Sequence, residues 1–303
     1  MFKLRSALAA FGLVGLGVGT AMTATAAGAA AAPAAAPRPV ASVLTQVTAA
    51  HHPGYDSLVF TFRGAVPATH TVRYVPQVKA DPSGLPVNVA GSAKLLVTFS
   101  QATGHNTAGV TYGVTTRTFA LPGVIQVTQA GDFESVLSFG VGVARMEPVR
   151  VFTLTKPSRV VVDLGTPYRT VQVRDYFLNA HRYGAGHVPI ASAASRPVIP
   201  PATAAGALQR LFAGPTQAEL ARGLKFVSSG ATGFKNLSIS GGVAKVQLTG
   251  KVSSSGSAFT IANEVMPTLK ALPGVHWVKI YDQYGHTERP AGHVDSIPRS
   301  LEP

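Results

Sequence analysis

Ala204-Ala205-Gly206-Ala207-Leu208-Gln209-Arg210-Leu211-Phe212-Ala213-Gly214-Pro215-Thr216 decides how the second half of the chain is read. Apolar residues recur at Ala205, Leu208, Leu211 and Phe212, the spacing of one helix face. Gly214 and Pro215 stop that helix, because glycine accepts a left-handed cap and proline cannot continue the ladder. Thr216-Gln217-Ala218-Glu219 has capping-box spacing, which predicts a second short helix over about Gln217 to Arg222. Gly223 ends it, and Leu224-Lys225-Phe226-Val227 reads as a strand. The stretch holds no nucleophile, metal ligand or phosphate cradle.

Outward from it, Asn236 to Ser240 and Val243 to Leu248 flank Gly241-Gly242, a pair suited to a two-residue turn with positive φ at both positions. In that register Ile239 faces Ala244, Leu237 faces Val246, Ser238 meets Lys245 and Asn236 meets Gln247. A last helix is expected over about Ser257 to Leu272, kinked or split by Pro267. Pro273-Gly274 ends it, and Val275 to Tyr281 reads as the closing strand. Gln283 to Glu288 could pair back on it. Upstream, Val171 to Leu178 opens this domain. Residues 184 to 203, rich in Gly, Ala, Ser and Pro, read as a long loop with a short strand at His187–Ile190.

The first half carries another pattern. Leu58, Phe60 and Phe62 alternate along one strand. Further strands are expected at Thr69–Val75, Lys94–Phe99, Val124–Val127, Phe133–Val143, Val149–Leu154 and Arg159–Leu164, with Lys156-Pro157-Ser158 a tight turn. Gly140 and Gly142 suggest a bend or bulge in the longest strand. Many short strands and hardly a helical pattern argue for an all-β sandwich or barrel. The fold class is therefore two-domain: an N-terminal all-β sandwich or barrel, then an α/β (α+β) domain with two or three helices on a small sheet.

The chain has 303 residues, 31 glycines, 22 prolines and no cysteine, which excludes disulfides and thiol chemistry. Lys3 and Arg5, the apolar run Leu8–Met22 and Ala24-Thr25-Ala26 have the order of a cleavable secretory signal over residues 1–26. The run is too short for a membrane span, so none is expected after its removal. Residues 27–44, rich in Ala and Pro, read as a tether. A formal charge of +13 favours an anionic partner. The basic residues are dispersed and lack interleaved aromatics, which argues against nucleic acid.

Two resemblances follow from these residues. Gly54-Tyr55-Asp56-x-Leu58-Val59-Phe60-x-Phe62, Tyr74-Val75, Gly131-Asp132-Phe133-Glu134 and Phe152-Thr153-Leu154-x-x-Pro157-x-Arg159-Val160-Val161-Val162-Asp163 resemble the actinobacterial AMIN-like domain. That resemblance covers about 50–165, within a β domain bounded at 45–165. Ala207-Leu208-x-x-Leu211-x-x-Gly214-Pro215-Thr216, Gly242-Val243-Ala244-x-Val246-x-Leu248 and Pro273-Gly274-Val275 resemble the GerMN domain of sporulation and germination envelope proteins, over 168–290. Residues 291–303 read as a loose tail. The resemblances imply an exported, cell-wall-associated protein of sporulating or related bacteria, with modules that work by adhesion.

Gly-x-Ser-x-Gly, Ser-x-x-Lys and His-Glu-x-x-His are all missing, so no catalytic residue, metal or cofactor is assigned. Asp132 and Glu134, two apart on a predicted strand, read as a solvated edge. Nor do His51-His52, or His286 and His293 with Asp282 and Asp295, have zinc-site spacing. Tyr55, Arg63, Arg73 and Tyr74 form the candidate ligand surface, since rings stack on sugars and guanidinium pairs with acids. The expected function is non-enzymatic: peptidoglycan or anionic wall polymer held by the β domain, an envelope protein partner by the second. The alternatives are regulation of a wall hydrolase by protein contact, and an unrecognised wall hydrolase.

Overall fold

The computed structural model describes residues 41–303. The expected signal over 1–26, and the expected tether up to residue 40, lie outside them. The described residues fall within one compact unit. Its first half is a sandwich of two five-stranded sheets. The long strands are β1 (Ser42–His52), β2 (Tyr55–Arg63), β3 (Thr69–Val75), β4 (Ala93–Ser100), β5 (Val124–Phe133), β6 (Val136–Val143), β7 (Val149–Thr155) and β8 (Ser158–Gly165). One sheet runs β7-β8-β2-β1 and ends on Ala102–Thr103. The other starts from Thr116–Thr118 and runs β5-β6-β4-β3.

Alternation along these strands drives the packing. Leu58, Phe60 and Phe62 of β2 point into the sandwich and meet Leu95, Val97 and Phe99 of β4 and Leu137, Phe139 and Val141 of β6. Phe60 sits 5.0 Å from Phe99 and 5.2 Å from Phe139, ring centre to ring centre. Such tilted and edge contacts add to the burial itself. The expected tether ends before residue 44, because β1 already begins at Ser42. A register shift between Leu44 and Gln46 breaks the alternation of β1, so Leu44 and Val47 are both buried despite odd spacing.

The expected strand Phe133–Val143 holds over Val136–Val143 only, because Phe133 ends β5 and the two strands join as a hairpin. Glu134 and Ser135 form its turn, both with left-handed φ (48° and 61°). Gly140 and Gly142 do not mark a bulge in β6; the register shifts fall on β5. Both glycines admit the loop that crosses the sheet. A Cβ on Gly142 would lie 1.8 Å from the Ala90 carbonyl oxygen, and one on Gly140 would meet Val78 and Val89 at 2.9 Å. At Gly142 backbone therefore rests directly on backbone, and at Gly140 on valine side chains.

The second half adds β9 (Val171–Asn179), α1 (Ala180–Gly184), β10 (Ala191–Val198), α2 (Thr203–Ala213), α3 (Gln217–Ala221), β11 (Ala231–Ser240), β12 (Val243–Gly250), α4 (Ala262–Lys270) and β13 (Trp277–Tyr281). Two three-stranded sheets result: β10-β9 with Leu224–Lys225, and β11-β12-β13. Leu208 and Leu211 of α2 share a core with Phe177, Val246, Leu248, Val265, Leu269 and Ile280. Gly214 has φ 80°, and Thr216 with Glu219 completes the capping box of α3.

Several expectations give way here. The segment 184–203 is not all loop, since eight of its residues pair with β9 as strand β10, and no strand forms at 187–190. Leu224–Val227 shortens to a two-residue strand. Helix α4 starts at Ala262 rather than 257 and runs through Pro267 as one piece. The Gly241–Gly242 turn has φ 56° and 76°, and Ile239 faces Ala244 with Ser238 opposite Lys245. Beyond that a bulge at Asn236, which has φ 52°, shifts the register, so Lys235 rather than Asn236 faces Gln247. Asn236 keeps only a side-chain bond to Gln247, at 2.8 Å.

The tail is not loose. Ser296 bridges to Lys279, Leu301 is buried in the second core, and the Asp295 carboxylate accepts the Val278 N–H at 2.9 Å. Ser296, not residues 283–288, pairs back on β13. The buried Lys279 ammonium donates to the carbonyls of Arg289, Ala291 and Val294 at 2.5, 3.0 and 3.1 Å. A lysine can enter a core only with its three protons so satisfied.

Candidate functional site

The four residues singled out from sequence do not converge. Tyr55 and Arg63 occupy opposite ends of β2, about 27 Å apart at ~3.4 Å per residue. Arg73 and Tyr74 lie on β3, the outer strand of the other sheet, and adjacent strand residues point to opposite faces. The Tyr55 ring stacks on His52 at 4.9 Å. The Tyr74 hydroxyl is already engaged, donating to the Glu147 carbonyl at 2.7 Å and accepting its N–H at 2.8 Å. Desolvation raises the pKa of that phenol.

The motif carboxylates are structural clamps. Asp56 is fully buried; its Oδ2 accepts the N–H groups of Gly123 and Val124 at 2.6 and 2.9 Å, and its Oδ1 meets His51 at 2.7 Å. Asp132 lies at the end of β5 while Glu134 lies in the turn, so the pair does not share a strand edge. His286 approaches Asp282 at 3.7 Å. Among the described residues, no three His, Cys, Asp or Glu side chains are grouped to hold a metal.

What the fold does bring together lies between the two halves. The end of α2 docks on the sandwich: the Gln126 amide donates to the Ala213 carbonyl at 3.1 Å, the Thr118 hydroxyl donates to the same oxygen, and Arg210 Nη2 donates to the Pro122 carbonyl at 2.9 Å. Behind this contact lies a set of buried ionisable groups. Arg196 grips Glu219 through two bonds of 2.8 and 2.6 Å, while Glu219 also accepts the Thr216 N–H at 2.8 Å. Asp175 is fully buried, and neither carboxylate oxygen has a hydrogen-bond partner. Burial pushes Asp175 up to about 8 against the pull of Arg196 and Arg210. Burial likewise lowers Arg210 to about 10.

Beside the docked helix end a cleft of about 420 Å³ opens between the halves. One wall is Asn88 to Gly91, Lys94 and Gln126; the other is Gln209, Phe212 and Thr232 to Phe234. Two bonds cross it: Asn88 Nδ2 to the Thr232 carbonyl at 2.9 Å, and Ser92 Oγ to Gln209 Oε1 at 3.0 Å. Phe212 and Phe234 stack at 5.9 Å and remain partly exposed. Gln126 is spent on the fold, since its Oε1 accepts the Ala90 N–H at 2.9 Å. Asn88 Oδ1, Gln209 Nε2 and the Lys94 ammonium are left to face a ligand. A wall of rings, two amides and a cation suits a sugar or a small anionic polymer unit.

Sequence reading assigned Phe212 to a helix face and passed over Asn88, Lys94, Gln209 and Phe234. Asn88 and Thr232 are 144 residues apart and meet only through domain docking. The model of the AMIN-like domain matches residues 42–166, and that described as sporulation and spore germination matches residues 176–281. No curated protein and no solved structure matches the chain.

Proposed function

The chain carries an AMIN-like domain followed by a domain of the sporulation and spore germination family, and from that premise we propose an exported, non-enzymatic adhesion protein of the cell envelope. In this reading the two domains hold wall glycan, or an anionic wall polymer, in the cleft between them. The observation that carries it is the pairing of Phe212 and Phe234 with Asn88, Gln209 and Lys94 in one cavity drawn from both domains. The net charge of +13 supports attraction to an anionic wall. The family pairing and the expected signal support a cell-wall location in this reading. An envelope protein partner would engage the second domain.

Sedimentation with purified peptidoglycan tests the reading. The chain should pellet at low salt, and Lys94→Gln with Gln209→Ala should weaken binding by about 30-fold or more, the loss of one charge-assisted and one neutral contact. Equal pelleting of wild type and variant removes the cleft from the account. No pelleting at all, with altered activity of an added wall hydrolase, favours regulation by protein contact.

A further inference from the structure

Away from the cleft, the sandwich has a second concavity, of about 550 Å³, lined by Thr103, His105, Asn106, Asp132, Glu134 and Ser135 among others. Its lining contains two carboxylates and no lysine or arginine, although the chain as a whole carries +13. The Asp132 side chain is only 7% exposed. Its Oδ2 takes the Gly104 N–H at 2.8 Å and His105 Nδ1 at 2.6 Å. Its Oδ1 is buried and has no partner. A buried carboxylate oxygen left unbonded is unfavourable, so the native fold carries it against a cost. Glu134, beside it, is exposed and held in the turn with left-handed φ.

We propose that this depression binds a protonated primary amine, such as a lysine-type side chain presents. An ammonium offers three donors and one positive charge, and needs acceptors rather than a fixed coordination shell. The Asp132 and Glu134 carboxylates supply charge, and the Thr103 and Thr107 hydroxyls supply neutral acceptors around them. A metal ion fits less well, since among the described residues no three acidic or imidazole groups are close enough to hold one. This site is independent of the cleft, and either can fail without the other.

The test is an NMR titration of the full chain with N-acetyl-lysine methylamide, and with the same compound acetylated on its side-chain nitrogen as the uncharged control. Saturable shifts are expected at residues 103–107 and 131–136 with the amine, and none with the control. Glu134→Gln, an exposed position, should weaken binding at least fivefold without disturbing the fold. Asp132→Asn should weaken it further, with the Gly104 amide resonance reporting whether the loop stays in place. Shifts that are absent, equal for both compounds, or unchanged in Glu134→Gln overturn the proposal.

Discussion

Replacing Lys279 with methionine probes why the last residues of the chain are ordered. The ammonium holds the carbonyls of Arg289, Ala291 and Val294 at 2.5–3.1 Å, and the residue is 1% exposed. Hydrogen bonds to a charged group contribute roughly 1.5–3 kcal/mol each, so three amount to about 5–9 kcal/mol gross. Methionine also removes the ammonium, whose desolvation costs several kcal/mol, so the expected net loss is about 2–4 kcal/mol. In a chain of this size that lowers the midpoint of thermal melting by roughly 3–7 °C. Urea unfolding gives the free energy, and hydrogen exchange should rise selectively over residues 289–297. A loss below about 0.5 kcal/mol with unchanged exchange there would refute the argument that this lysine anchors the segment.

Three further outcomes are expected. Gly142→Ala should destabilise by about 1–3 kcal/mol or more, because the new methyl meets the fixed Ala90 carbonyl; Gly140→Ala, facing movable valine methyls, should cost less in the same urea assay. Thr118→Val combined with Gln126→Leu strips the Ala213 carbonyl of both donors, and calorimetry should then resolve separate transitions for the two domains where wild type gives one. Asp175 holds its proton up to about 8, against 3.8 for an exposed aspartate, so the folded protein keeps a proton that the unfolded chain sheds. The stability tied to it is full below about pH 4 and is lost as pH rises to about 8, by a few kcal/mol in all. Asp175→Asn should flatten that decline in urea midpoints measured across this range, leaving the contribution of Glu264, which burial also raises to about 8.

The strands with clean alternation were legible, as β2 and β4 show, because burial on one face leaves a period of two. The Gly214-Pro215-Thr216 stop and restart was legible for the same local reason: caps are written in adjacent residues. Strand β10 was hidden, since Ala191 to Val198 is made of small and polar residues with Arg196 in its midst. That arginine is buried only because Glu219, 23 residues on, neutralises it. The order of the tail depends on Lys279 in the same way. The four residues of the candidate surface lie apart because they were joined by nearness in sequence, whereas the cleft joins Asn88 to Thr232 through docking that no local pattern encodes.

The Ala213 carbonyl, the last turn of α2, points into a neighbouring module rather than into water. Grafted behind a different partner, the second module would present that oxygen and the Arg210 guanidinium to whatever surface came next, with no donors or acceptor waiting. A hybrid therefore needs Thr118, Pro122 and Gln126 transplanted along with the helix they receive.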